Sequence, residues 1–166
     1  MLVGNSYGVM VNTGVAAKEP RRLVHLVYLD AYIPFEEENE IVLWSPDEQA
    51  RVRTEIEGQQ VSSATPNFTA LVGITDPRMA EWVQERLTPH LISTYEDLPP
   101  SGSAESALIP RAFIHCTDGA TAPFLEIFAS RARSLGWKVH DFSAGHAAML
   151  THSRELADIL LGLAND

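Results

Sequence analysis

Residues 23–33 read LVHLVYLDAYI, an almost continuous apolar run rich in β-favouring side chains and closed by Pro34. Such a run predicts a strand buried on both faces, and strands of that kind belong to parallel sheets covered by helices. Two shorter runs repeat the pattern. Ala112 to Cys116 follows Pro110, and Trp137 to Phe142 (WKVHDF) follows Gly136, each with strand length and clear stop signals. Between them Phe124, Leu125, Phe128, Ala132 and Leu135 fall at helical spacing, and Leu156, Ala157, Ile159, Leu160 and Leu163 mark a closing helix. Tyr7 to Ala17 also suits a helix, with a stop at Pro20. Strand alternating with helix predicts an α/β unit on a short, mostly parallel sheet flanked by helices.

The chain has 166 residues, 45% of them apolar, enough for one real core and short for two. One domain over residues 1–166 is the expectation. Twelve Lys and Arg face 22 acids, a formal charge of −10, which argues against nucleic acid or anionic lipid as a partner. No apolar run approaches the roughly 20 residues a bilayer span needs, and MLVGNSYG lacks the basic flank and apolar stretch of a secretory signal. A cytoplasmic location is expected. The single Cys116 offers neither an internal disulfide nor a thiolate metal cage.

Residues 36–110 break the strand and helix rhythm with acids, Pro, Ser and Gly, and read as an insertion above the sheet. Pro46 to Glu57 and Pro77 to Arg86 are its helical candidates. Its end, Glu96 to Ala107 (EDLPPSGSAESA), has linker composition and is expected to be its most mobile part. Trp44, Phe68, Leu71 and Trp82 could line an apolar pocket, although such side chains more often pack the insertion itself.

Gly4-Asn5-Ser6-Tyr7-Gly8 is a GxSxG, preceded by apolar Leu2 and Val3 and followed by a plausible helix. A nucleophilic Ser must sit on a sharp strand-to-helix turn, where flanking glycines remove Cβ atoms that would clash and helix-start amides face the developing oxyanion. The same pentapeptide also suits an ordinary turn. Ser143-Ala144-Gly145-His146 places a His directly after a strand, and a free Ser hydroxyl needs a base such as neutral imidazole. His25, His115 and His140 lie within strand runs, and His90 and His152 in segments that read as exposed. Only His146 stands in a loop at a strand's carboxyl end, where sites on parallel sheets gather. His140, Asp141 and His146 are near one another in sequence, but strand alternation splits the first two between faces and disfavours a metal site.

GNSYGVM, LVYLDAYIP, FIHC and GHAAMLTHSRELADILL, in this order, resemble the later half of α/β-hydrolase-fold esterases, in the branch that also holds plant methylesterases and hydroxynitrile lyases. The resemblance covers essentially the whole chain. It implies a serine carboxylesterase that cleaves small uncharged esters through an acyl-enzyme without a cofactor, with Ser6 as nucleophile, His146 as base and residues 36–110 as a cap. The order nucleophile, acid, base also agrees. The acid has two candidates. Asp118, after the FIHC strand, is the usual family location, although it falls one residue early and Asp-Gly is a common turn pair. Asp30 interrupts an apolar strand, where an unpaired carboxylate would cost several kcal/mol, and therefore needs a partner.

The departures from the family carry their own expectations. Asn5 replaces the His that commonly precedes the Ser, and Val9 replaces a frequent second Gly. The resemblance begins only a few residues before Ser6, so the Tyr7 N–H is the one evident oxyanion donor and Met1 to Gly4 forms a sheet edge through which a homodimer is expected. A catalytically weak remnant that acts as a binding module is the alternative to an esterase. A hydroxynitrile lyase is disfavoured, because Ala147 and Ala148 follow His146 where those enzymes carry Lys.

Overall fold

The computed structural model describes residues 1–34, 38–39, 45–47, 49–50, 67–91, 93–100 and 102–165. Strands β1 (Leu2–Asn5), β2 (Leu26–Leu29), β3 (Arg111–Cys116) and β4 (Lys138–Phe142) form one sheet in the order β1-β2-β3-β4, and every pairing is parallel. Spatial order follows chain order, so each strand returns to its neighbour by a crossover over one face. Helix α1 (Gly8–Lys18) makes the first crossover. The insertion between β2 and β3 contains α2 (Phe68–Leu71), α3 (Pro77–Gln84), α4 (Ser93–Glu96) and α5 (Ala104–Ala107). Helix α6 (Ala122–Ser134) joins β3 to β4, and α7 (Ala148–Thr151) and α8 (Ser153–Ala164) close the chain.

The apolar run at residues 23–33 is longer than its strand. All four residues of β2 are buried, as two covered faces require, but the ladder stops where Asp30 takes a left-handed φ of 44°. Ala31 and Ile33 are buried beyond it, in side-chain packing rather than in the sheet. Alternation along the strands divides the core into two layers. Leu26, Tyr28 and Phe113 face α1 and α6, meeting Val9, Ala16, Leu125, Phe128, Ala129 and Ala132. Val27, Leu29, Ala112, Ile114 and Cys116 face the other way, toward Ala148, Leu156 and Leu163 of the closing helices. Of the periodic residues, Leu135 is the cap of α6 and exposed, and Ala157 is exposed on α8, so each apolar stripe is narrower than the sequence suggests.

The candidate helix at Pro77 to Arg86 forms as α3, where the Asp76 side chain accepts from the Met79 N–H at 2.8 Å and Pro77 occupies the first position. In the candidate at Pro46 to Glu57, residues 46–47 and 49–50 are helical, while 48 and 51–57 lie outside the described residues. The segment of linker composition makes contacts at both ends. Pro99 and Ser106 are buried, the Ser106 hydroxyl donates to Ser103 O at 2.8 Å, and Glu105 pairs with Arg21 at 2.7 Å. A third apolar cluster, Val72, Ile74 and Val83 with Ala147, joins the insertion to the segment after β4.

Phe128 is 1% exposed at the centre of the first layer, against Tyr32 and Phe124. Phe128→Ala is expected to cost about 3–5 kcal/mol, the range for emptying an aromatic core position. Urea unfolding followed by circular dichroism measures it, as a lower midpoint with an unchanged slope.

Candidate active site

Parallel strands end on the same side, and the register puts Asn5, Leu29, Cys116 and Phe142 at that edge. Each strand there hands over to a residue singled out from the sequence. β1 runs into Ser6, a non-glycine residue with φ of 53°. Its N–H donates to Leu29 O at 3.3 Å and its carbonyl accepts from the Val9 N–H at 3.3 Å, so the turn is held from strand and helix together. A left-handed Ser costs conformational energy, and such strain persists only where the surroundings impose it. Gly4 is part of that imposition. A Cβ there would stand 2.5 Å from Asn12 Nδ2 and 3.0 Å from Val9 N, whereas one at Gly8 would meet open space. Only the first glycine of GxSxG is sterically required, and Val9 is a fully buried core residue.

Asn5 bridges two parts of the site. Its Nδ2 donates to Leu29 O at 3.0 Å and to His146 O at 3.4 Å. The His146 loop is held from the insertion as well. Gly73 and Gly145 cross so closely that a Cβ on either would lie 2.8–2.9 Å from the other's Cα, and the Ala147 N–H donates to Val72 O at 2.9 Å. Neither glycine stands out in the sequence, because the constraint is a meeting of backbones more than 70 residues apart.

Asp30 is fully buried, and its two oxygens have separate partners. Oδ1 accepts from the Cys116 N–H at 3.0 Å, and Oδ2 is 2.7 Å from His146 Nδ1. Asp30 thus caps a backbone amide with one oxygen and meets the histidine with the other. Asp118 is not brought to His146. It is exposed, its N–H donates to Ala144 O at 3.1 Å, and its Oδ1 accepts from the Thr117 hydroxyl at 3.3 Å. It extends the β3–β4 ladder into the loop, so its backbone braces the segment before His146.

Ser6 and His146 line one cavity of about 450 Å³, together with Asn5, Tyr7, Phe68, Val72, Ile74, Val83, His90, Tyr95, Ala147, Met149 and Leu150. No hydrogen bond joins Ser6 to His146 among the described residues. The Tyr7 N–H lies at the amino end of α1, where helix amides lack internal acceptors. Of the proposed pocket residues, Phe68 is in the lining. Leu71 and Trp82 are exposed, Trp82 carrying the Arg86 guanidinium 4.5 Å above its ring, and Trp44 lies outside the described residues. His90 is part-buried rather than exposed. Its ring packs against Tyr7 at 4.9 Å and Tyr95 at 4.8 Å, and Nε2 is 2.6 Å from the Thr94 hydroxyl. His152 is likewise half-buried, against Phe142. Asp141 is bonded to Arg133 at 2.7 Å, and the described residues contain no group of three side chains able to hold a metal ion.

A parallel sheet with a strained serine after its first strand here, and a carboxylate and histidine meeting at the ends of later strands, is the α/β-hydrolase arrangement. No family model matches the chain. The carbendazim hydrolyzing esterase of Nocardioides sp. strain SG-4G is 30% identical over 172 residues, covering 98% of this chain and 70% of that protein. Two solved structures share the fold. An extracellular α/β-hydrolase from a Paenibacillus species, described as sharing structural and functional homology with tobacco salicylic acid binding protein 2, superposes with a TM-score of 0.79 at 16% identity over 97% of this chain and 70% of that one. Polyneuridine aldehyde esterase superposes with a TM-score of 0.73 at 20% identity over 98% and 71%. The chain belongs to the α/β-hydrolase-fold esterases, the carboxylic ester hydrolases of this fold. No helix among the described residues is long and apolar enough to cross a membrane.

Cys116 lies beside the Asp30 carboxylate and could be mistaken for a second nucleophile. Burial pushes its thiol well above the ordinary range, and the charges of Asp30 and Asp118 push it further. A raised thiol stays protonated at pH 8. The folded protein is expected to react with Ellman's reagent at least about 100-fold more slowly than the urea-unfolded chain, and equal rates would contradict this placement.

Proposed function

We propose that the chain is a serine carboxylesterase for small uncharged esters, working through an acyl-enzyme with Ser6 as nucleophile, His146 as general base and Asp30 as the acid that orients it. The observation that carries this reading is the 2.7 Å contact between Asp30 Oδ2 and His146 Nδ1, made by a carboxylate with no exposure to water. An ionised carboxylate can only accept, so Nδ1 carries the proton and Nε2 is left basic. His146 Nε2 then takes the Ser6 hydroxyl proton as Oγ attacks the ester carbonyl, and the Tyr7 N–H donates to the resulting oxyanion. When the carbon–oxygen bond to the alcohol breaks, the leaving oxygen receives that proton from His146. Water repeats the cycle on the acyl-Ser6, releasing the acid and restoring the hydroxyl.

The lining favours neutral substrates. Phe68, Val72, Ile74, Val83, Met149 and Leu150 offer apolar surface, no carboxylate or basic chain other than the two histidines reaches the cavity wall among the described residues, and the charge of −10 repels anions. The Nocardioides relative makes carbendazim a natural second substrate to try, after a short activated aryl ester.

Hydrolysis of p-nitrophenyl acetate and labelling by a fluorophosphonate, read by intact mass, test the reading. The wild type should turn over and label once, and Ser6→Ala should do neither. Asp30→Asn should lose about 10³- to 10⁴-fold in kcat, while Asp118→Asn stays within a few-fold of wild type. A folded wild-type chain that neither labels nor turns over would overturn the esterase reading.

The homodimer is proposed on the exposure of Val3 on β1 and of Val11 and Val15 on the adjoining α1, at the edge of the described sheet. Light scattering at micromolar concentration should give twice the mass of the 166-residue chain, and the mass of one chain would exclude it.

A further inference from the structure

His115 is a buried titratable side chain that the mechanism above leaves unused. It sits on β3 one residue before Cys116, and its side chain is 5% exposed. Its nitrogens face two carboxylates. Nε2 is 3.1 Å from Glu126 Oε2 on α6, while Nδ1 is 3.5 Å from Asp30 Oδ1 and makes no hydrogen bond among the described residues. Glu126 is held in turn, its Oε1 accepting from Ser130 Oγ and Arg133 Nη1, each at 2.9 Å, and Arg133 Nη2 reaches Asp141 Oδ1 on β4 at 2.7 Å. A line of alternating charge and imidazole therefore runs from Arg133 through Glu126 and His115 to Asp30 and His146.

An ionised carboxylate has no proton to give, so a ring nitrogen that faces one is satisfied only as a donor. An Nδ1 lone pair aimed at Asp30 Oδ1 would oppose two acceptors in a buried site, at a cost comparable to a buried unpaired polar group. Oδ1 has room for a second donor, since among the described residues its one hydrogen bond is from the Cys116 N–H. At 3.5 Å the bond is not formed, and a few tenths of an ångström would form it.

We propose that His115 is a positioning residue for the proposed acid: facing a carboxylate on each side it carries a proton on both ring nitrogens, Nε2 toward Glu126 Oε2 and Nδ1 toward Asp30 Oδ1, and so fixes the Asp30 carboxylate with Oδ2 alone toward His146. This rests on Asp30 being the acid. The second donor also draws charge from Asp30 and weakens its hold on the His146 proton. The histidine behind the acid thereby sets both the geometry and the basicity of the one in front.

Long-range ¹H–¹⁵N correlation of the wild-type histidines reads the Nδ1 proton directly. The pH dependence of kcat/KM for wild type, His115→Phe, His115→Asn and Asp30→Asn reads its effect. Both ring nitrogens of His115 should be protonated. His115→Phe should lower kcat roughly tenfold with KM little changed, and should move the acid limb up by about half a pH unit because His146 then keeps its proton more tightly. His115→Asn, whose amide can still donate toward Asp30, should recover most of both. An unprotonated Nδ1 or Nε2, or a folded His115→Phe with wild-type kcat and acid limb, overturns the proposal. Should His115→Phe not fold, the wild-type correlation and His115→Asn decide, and a His115→Asn acid limb raised by half a unit or more counts against it. A fully active Asp30→Asn sinks the triad reading and this one with it, whereas an inactive Asp30→Asn beside an unchanged His115→Phe sinks this one alone.

Discussion

The site depends on a carboxylate buried at the end of the second strand. Asp30 has no exposure, and a charge there is tolerable only with donors on its oxygens, because desolvation of an ion costs several kcal/mol unless contacts replace the lost water. The Cys116 N–H and His146 Nδ1 supply them. These donors come from β3 and from the loop after β4, so satisfying one side chain requires that three segments converge at the carboxyl edge of the sheet. The left-handed φ of Asp30 ends the ladder at Leu29 and turns the carboxylate into that convergence.

The insertion does more than cover the sheet. The Val72–Gly73 backbone lies against Gly145 and receives the Ala147 N–H, so the loop that bears His146 is braced by a segment far away in sequence. From below, Asn5 joins the same loop to the serine turn through His146 O. Rigid support of this kind matters because reacting groups lose rate steeply with small displacements. The insertion also supplies much of the apolar lining, Phe68, Val72, Ile74 and Val83, so bracing the His146 loop and lining the cavity are tasks of one structure.

The parts visible along the chain were those written in local pattern. The buried strands, the crossover helices and the serine turn follow from apolar runs, helical spacing and a pentapeptide, each of which acts within a few residues. The pair of candidate aspartates was visible too, but which of them meets His146 was not. Asp118 and Asp30 both follow strand-like runs, and the side on which each carboxylate emerges depends on the φ of one residue and on the register of β3 with β2 and β4. Leu71 and Trp82 were reasonable pocket candidates by type and are exposed, whereas Val72, one residue from Leu71, lines the cavity. A shift of one position on a short helix turns a side chain by about 100°, and composition carries no record of it.

By itself the amino-acid sequence determined the parallel α/β character of this protein, because a strand buried on both faces needs apolar residues throughout, and it determined the residue types available for ester chemistry. Only the tertiary structure decided which aspartate faces His146, why Gly73 and Gly145 must be glycines, and that His115 stands behind Asp30. Each of those is a distance between atoms that are remote along the chain, and such distances are set by the packing of the sheet against its two layers of helices, which no single segment encodes.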